Sequence, residues 1–291
     1  MFTCSQCPRK CAAVRAESGA GFCGMGELPV VARMAPHFDE EPCISGKEGS
    51  GTVFFSGCSL KCVYCQNAPI SHDSFGKTLT VEELKSGITR LARQGVNNIN
   101  LVNPTHFAHL LPEILDGSCG VPIVYNSSGY ELVDTLKKLE GKIDVYLPDL
   151  KYVDSALSKR YSAAEDYFDV TSKALSEMLR QVGPVKLDDR GMIKSGLIVR
   201  HLVLPCNVRD SIRVVDWIKQ NLPGAWISLM AQYMPCAKAR DYPEINRPLS
   251  PAEYERVCDH MISIGLEDGY VQQMDSSDEK YIPAFDLTGV P

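Results

Sequence analysis

The chain has 291 residues, 44% of them hydrophobic and 23% charged, which suits one large globular domain or such a domain with a small appendage. Its formal net charge is -6 and no run of Lys/Arg exceeds two residues, so the sequence shows no phosphate-neutralising stretch and nucleic-acid binding is unsupported. The opening residues MFTCSQCPRK lack the apolar core of a signal peptide and no apolar run reaches membrane-spanning length, so a cytoplasmic protein without a membrane partner is expected.

Twelve cysteines without an export signal argue for metal ligation over disulfides, because the cytosol keeps thiols reduced. Cys4, Cys7, Cys11 and Cys23 supply four thiolates near the N-terminus, the number that saturates a metal. Zinc and a [4Fe-4S] cluster both accept four cysteines, and the spacing does not choose between them. The segment is short and polar, so metal binding would contribute directly to its folding. Residues 1–50 are therefore read as a cysteine-rich appendage and 51–291 as the main domain.

From there strand and helix patterns alternate. GTVFFSG (51–57) is β-branched and aromatic between glycines. A helix starts at Thr80, where Glu83 completes a capping box; Val81, Leu84, Ile88 and Leu91 share one face and Gly95 ends it. NINLVNP, PIVYNSS, IDVYLPDL, GLIVRHLVLP and AWISLMAQ read as further strands, with helices over 131–139, 166–181, 210–222 and 250–264. Alternation of this kind implies right-handed βαβ units and a parallel sheet. A closed eight-fold barrel takes about 250 residues, and only about 240 follow the appendage. The expected fold is α/β: an open, partial (β/α)6 TIM-like barrel with a small N-terminal metal-binding segment.

Directly after the first barrel strand, Cys58-x3-Cys62-x2-Cys65 is one ligand short of a closed tetrahedral site or a fully ligated cubane. Three thiolates on a [4Fe-4S] cluster leave one iron open to a small molecule, at the barrel face where chemistry usually sits. A zinc knuckle completed by a distant residue is the alternative.

The loop Cys58-x3-Cys62-x-Tyr64-Cys65 resembles the motif of the radical S-adenosylmethionine superfamily, and CVYCQN is similar to pyruvate formate-lyase activating enzymes and their relatives. With DLK (149–151) and VRHLVLP (199–205), the resemblance extends through most of 50–275, and it is nearest to an activating-enzyme-like branch with a cysteine-rich N-terminus. It implies that Cys58, Cys62 and Cys65 hold a [4Fe-4S] cluster whose free iron chelates S-adenosylmethionine. One electron from a low-potential donor such as flavodoxin or ferredoxin would break the sulfonium carbon-sulfur bond. Methionine would leave, and a 5′-deoxyadenosyl radical would abstract hydrogen from a substrate. A glycyl-radical protein is the implied target, with a small molecule or peptide as the alternative; an electron carrier or redox sensor is the reading from another class.

The same resemblance assigns further positions. Tyr64 is placed against the adenine. Where relatives carry Gly-Gly-Glu for the methionine amino group, this chain has Asn103-Pro104-Thr105, leaving Asn103 and Thr105 as acceptors. Asn126, Ser127 and Ser128 are placed near the ribose or as caps of the next helix, and Asp149 and Lys151 match Asp-x-Lys at the fourth strand. An ion pair between those two is not expected, since residues two apart share a face only while a strand continues. Arg200 is placed on the methionine carboxylate, His201 on the opposite face as a packed ring, and Gln232 and Tyr233 in place of a polar aromatic pair. Cys206 and Cys236 each follow a proline after a strand, near the catalytic face; Cys43, Cys119 and Cys258 read as structural.

Overall fold

The sheet begins with a strand that the hydrophobic pattern does not announce. Val30–His37 (β1) lies antiparallel to Ser50–Phe55 (β2), from His37 opposite Ser50 to Val31 opposite Phe55. The computed structural model describes residues 2–16, 19–117, 119–274 and 283–291. Next to β2 the parallel strands follow in chain order: Ile99–Val102 (β3), Ile123–Ser127 (β4), Val145–Pro148 (β5), Ile193–Leu202 (β6) and Trp226–Met230 (β7). All six strands expected of the barrel are present, and a three-residue strand, Gly269–Val271 (β8), extends the sheet beyond β7. The array is an open, partial barrel.

Helices cover one face. Val81–Ala92 starts with both halves of the Thr80/Glu83 capping box, and Pro251–Ser263 does the same with Ser250 and Glu253; such caps each contribute about 1 kcal/mol. Together with Tyr167–Val182 and Val208–Asn221 these helices bury Phe55, Leu101, Tyr125, Tyr146, Val199 and Leu229, the outward positions of successive strands. A helix at Ser155–Ser162, which lacks a long apolar stripe, was not legible as one. Among the described residues no helix is long and apolar enough to cross a membrane.

The inner face is apolar at its lower end and polar above. Val124, Val145, Leu147 and Ile198 pack there against Cys43 and Ile44 of the short helix Pro42–Ser45, which makes Cys43 a core side chain as expected. The segment joining β1 to β2 thus closes the bottom of the barrel, and residues 30–49 are hydrogen-bonded and packed into it. The free edge of β1 is covered by Lys77–Thr78 and by the C-terminal tail, where Leu287 N–H donates to Ala32 O and Met34 N–H to Thr288 O.

His201 faces outward and is buried, its Nδ1 2.7 Å from Leu150 O. Burial brings its pKa from 6.5 down to about 4. A folded value below the unfolded one means that its contribution is complete above about pH 6.5 and is lost as pH falls toward about 4, a difference of about 3 kcal/mol. The melting temperature of His201→Gln should therefore fall less than that of the parent protein over this window. Equal slopes would mean that the ring is already protonated in the folded state.

Candidate functional site

The loop after β2 is held from several sides. Gly57 has φ +82°, and a Cβ there would stand 2.4 Å from Met25 Cγ, so the N-terminal segment packs directly on the residue before Cys58. Arg9 donates from Nε to Ser59 O at 2.7 Å and from Nη2 to Ser162 O at 3.3 Å. Val63 N–H donates to Tyr161 O, Lys238 N–H donates to Val63 O, both at 2.8 Å, and the Cys236 thiol donates to Tyr64 O at 3.2 Å. Cys236 therefore braces the loop from behind. Cys206 is exposed, with its Sγ accepting from Arg247 Nη2 at 3.2 Å.

Cys58, Cys62 and Cys65 line one cavity of about 510 Å³ and are close enough to oppose one another's ionisation. Burial, then Cys62, pushes Cys58 to about 11 and Cys65 to about 12; burial also raises Cys62, with Lys151 countering. Such thiols ionise only when a cation joins them. Each sulfur already has a polar neighbour that would remain with a thiolate: Leu60 N–H at 3.3 Å from Cys58, Ser162 Oγ at 3.0 Å from Cys62, and Ser71 Oγ at 3.1 Å from Cys65. Among the described residues no group of three His, Cys, Asp or Glu side chains is arranged to hold a single metal ion as it stands. A cubane is gripped at its corners, with its thiolates further apart than the ligands of one ion, and three thiols around a common wall suit that donor set.

Most of the other expected side chains meet the same cavity. Tyr64 lines it with its ring edge-on to Tyr233 and its hydroxyl bonded to that of Tyr152. Asn103, with φ +58°, donates from Nδ2 to Gly57 O at 2.8 Å and faces Cys58 Sγ. Asn126, Ser127 and Ser128 lie at the end of β4. Gln232 accepts from Gln272 Nε2 at 3.0 Å on the far side. The Gly129 that follows the serines has φ +74°, and a Cβ there would stand 2.3 Å from Asp149 O. Gly129→Ala should cost at least about 2 kcal/mol by urea denaturation. Gly141→Ala, at φ +78° with nothing within 4 Å, should cost about 1 kcal/mol. Equal costs would show that the contact with Asp149 relaxes freely.

Two expectations are corrected. Thr105 does not reach the cavity: it is wholly buried and its Oγ1 donates to Glu131 Oε1 at 2.5 Å. Asp149 and Lys151 do form an ion pair. β5 ends at Pro148, so the alternation that would separate positions 149 and 151 no longer applies, and both side chains enter the cavity.

Arg200 points inward from β6, but its partners come from the connection below the barrel. Its Nε donates to Glu41 Oε1 at 2.8 Å and its Nη2 to Glu41 Oε2 at 2.6 Å, with Glu40 also paired to Nη2. Glu40 Oε1 in turn accepts from Asn100 Nδ2 at 3.0 Å and Asn126 Nδ2 at 3.4 Å. Burial opposes the charge on Glu41, yet the Arg200 charge and hydrogen bonds hold its carboxyl below the ordinary range. Neither glutamate carries a sequence signal beyond being an adjacent acidic pair.

In the N-terminal segment Cys4, Cys7 and Cys23 are buried, and Cys7 is pushed to about 12 by burial and then by Cys23, Glu131 and Cys4. Cys11 is exposed and packs against Gly21, where a Cβ would meet its Sγ at 2.7 Å.

Residues 52–186 match the family model described as the Radical SAM superfamily. The chain is 31% identical over 266 residues to the uncharacterized protein MJ0674 of Methanocaldococcus jannaschii, covering 88% of this chain and 73% of that one. Among solved structures it is similar to Streptococcus suis SuiB bound to S-adenosylmethionine, with TM-score 0.53, 12% identity and coverage of 79% and 55%. SuiB bound to its precursor peptide SuiA gives TM-score 0.52, 13% identity and coverage of 74% and 46%. The chain spans about half the length of those SuiB chains.

Proposed function

Since this chain belongs to the radical S-adenosylmethionine superfamily, we propose that it is an iron-sulfur enzyme that cleaves S-adenosylmethionine reductively. The observation that carries the reading is the set of three close thiols on one loop, Cys62 buried and Cys58 and Cys65 half-buried, at the wall of a large cavity. Cys58, Cys62 and Cys65 would hold a [4Fe-4S] cluster, which when bound supplies the electron that splits the sulfonium into methionine and a 5′-deoxyadenosyl radical. Tyr64, Asn103, Asn126 and Ser128 offer ring, amide and hydroxyl groups to the nucleoside and methionine ends. The Asp149–Lys151 pair adds charge beside Cys62. Phe54, Val102 and Leu202 add apolar surface to the lining of the cavity.

A low-potential flavodoxin or ferredoxin is the proposed electron donor. The radical's target is proposed to be a glycyl-radical protein, in keeping with the CVYCQN loop; modification of a small molecule or peptide is the second reading. An electron carrier has no use for a cavity of about 510 Å³ beside its cluster, which weighs against that class. Cys4, Cys7, Cys11 and Cys23 are proposed to hold a second, closed metal site, zinc or [4Fe-4S]. The test is anaerobic incubation of reconstituted, dithionite-reduced protein with S-adenosylmethionine. Formation of 5′-deoxyadenosine and methionine is expected, and their absence from protein with a full iron complement would overturn the reading.

A further inference from the structure

Helix Ser155–Ser162 ends behind the cysteine loop, where its last carbonyls have no acceptor role left inside the helix. Three consecutive ones are taken from outside it. Val63 N–H donates to Tyr161 O at 2.8 Å, and Arg9 donates from Nη2 to Ser162 O at 3.3 Å and from Nη1 to Ala163 O at 2.5 Å. The remaining edge of the same guanidinium, Nε, donates to Ser59 O at 2.7 Å, in the stretch between Cys58 and Cys62. The group also lies over two rings, 3.9 Å from the Phe22 centroid and 5.3 Å from that of Tyr130. A planar fork reaches carbonyls of two segments at a fixed spacing, which an ammonium on a flexible stem does not. The helix end that Arg9 holds presents Ser162 to the loop. That side chain is wholly buried, and its Oγ lies 3.0 Å from Cys62 Sγ and 2.9 Å from the Tyr152 hydroxyl. Tyr152 can supply its proton to Ser162 Oγ, which leaves the Ser162 proton for the sulfur.

We propose that Arg9 is a positioning residue for the cysteine loop: by tying Ser59 to the end of helix Ser155–Ser162 it keeps Ser162 Oγ in hydrogen-bond contact with Cys62. The clamp needs no metal, because every contact in it is between groups of this chain. Its consequence for a cluster rests on the reading of Cys62 as a ligand, since hydrogen bonds to the sulfurs help to set a cluster's potential. The N-terminal segment thus acts on the loop through a side chain that is not one of its cysteines.

The experiment labels the full chain with iodoacetamide before iron is added and reads each cysteine by mass spectrometry. Cys62, which is buried, should be modified at least about tenfold faster in Arg9→Met than in the parent, with Arg9→Lys between the two. Cys206, which is exposed, and Cys43, which sits in the core at the bottom of the barrel, should keep their parent rates. Equal Cys62 rates in the three proteins would overturn the inference. So would a rise at Cys43 in step with Cys62, which is loss of the whole fold and not release of the loop. After reconstitution, Ser162→Ala and Arg9→Met should each move the cluster's reduction potential to a more negative value, and the double variant should move it no further. Shifts that add would show that Arg9 does not act through Ser162 and would refute the role. If Arg9→Met does not fold, Arg9→Lys and Ser162→Ala decide: parent labelling at Cys62 and an unchanged potential in both would refute it. A loop that takes up no iron would sink the reading of Cys62 as a ligand and leave the labelling to decide the clamp.

Discussion

Cys58→Ala, Cys62→Ala and Cys65→Ala should each reduce S-adenosylmethionine cleavage to the level of cluster-free protein, the largest effect expected of any substitution here. The three side chains share one cavity wall, Cys62 opposes ionisation of Cys58, and both oppose ionisation of Cys65. Cys58, Cys62 and Cys65 would together supply the thiolates of the proposed cluster, and a variant lacking one of them would hold it with two. Cys206→Ala supplies the contrast. That thiol is exposed and bonded to Arg247, outside the cavity, so cleavage should stay at the parent rate. If all three loop variants cleaved S-adenosylmethionine at the parent rate with full iron content, the cluster would have to lie elsewhere. Reconstituted iron content measured alongside the activity separates loss of the cluster from loss of turnover.

What was legible in advance was local. Ligand spacing at 58–65, the Thr80 and Ser250 capping boxes, and the apolar runs of β2 to β7 are each specified within about a dozen residues, and each stands where the sequence places it. The outward turn of His201 follows from strand period alone. What was not legible depends on chain that returns from a distance. β1 reads weakly because Pro36 interrupts it, and its pairing is decided by β2. The Glu40 and Glu41 carboxylates reach Arg200 only because the hairpin connection runs beneath the barrel, a separation of 160 and 159 residues. The Asp149–Lys151 pair was misjudged because strand alternation was carried past Pro148, where the strand has ended. Thr105 was placed by analogy with a three-residue motif that this chain does not keep, and Glu131 takes its hydroxyl instead.

Arg200 is where the two kinds of reasoning meet, and its removal should have the largest effect on stability. Arg200→Ala should cost roughly 3 to 5 kcal/mol in the absence of S-adenosylmethionine, because it leaves Glu40 and Glu41 buried without their cation. For a chain of this size that lowers Tm by on the order of 10 °C. The loss should be partly recovered at acid pH. Burial raises the Glu41 carboxyl and Arg200 is the main group holding it below its ordinary range, so in the variant it takes up a proton at higher pH and the buried charge is removed. Replacing all three charges, as Glu40→Gln/Glu41→Gln/Arg200→Met, should restore most of the stability at neutral pH, since the cost lies in unpaired charge and not in lost contact area. The methionine carboxylate of S-adenosylmethionine would have to displace Glu41 to engage the Nε and Nη2 edge of the guanidinium, so affinity should respond less than stability does. A variant of parent stability that binds S-adenosylmethionine ten- to hundredfold more weakly would reverse this order and make the Glu41 contact a placeholder for the ligand.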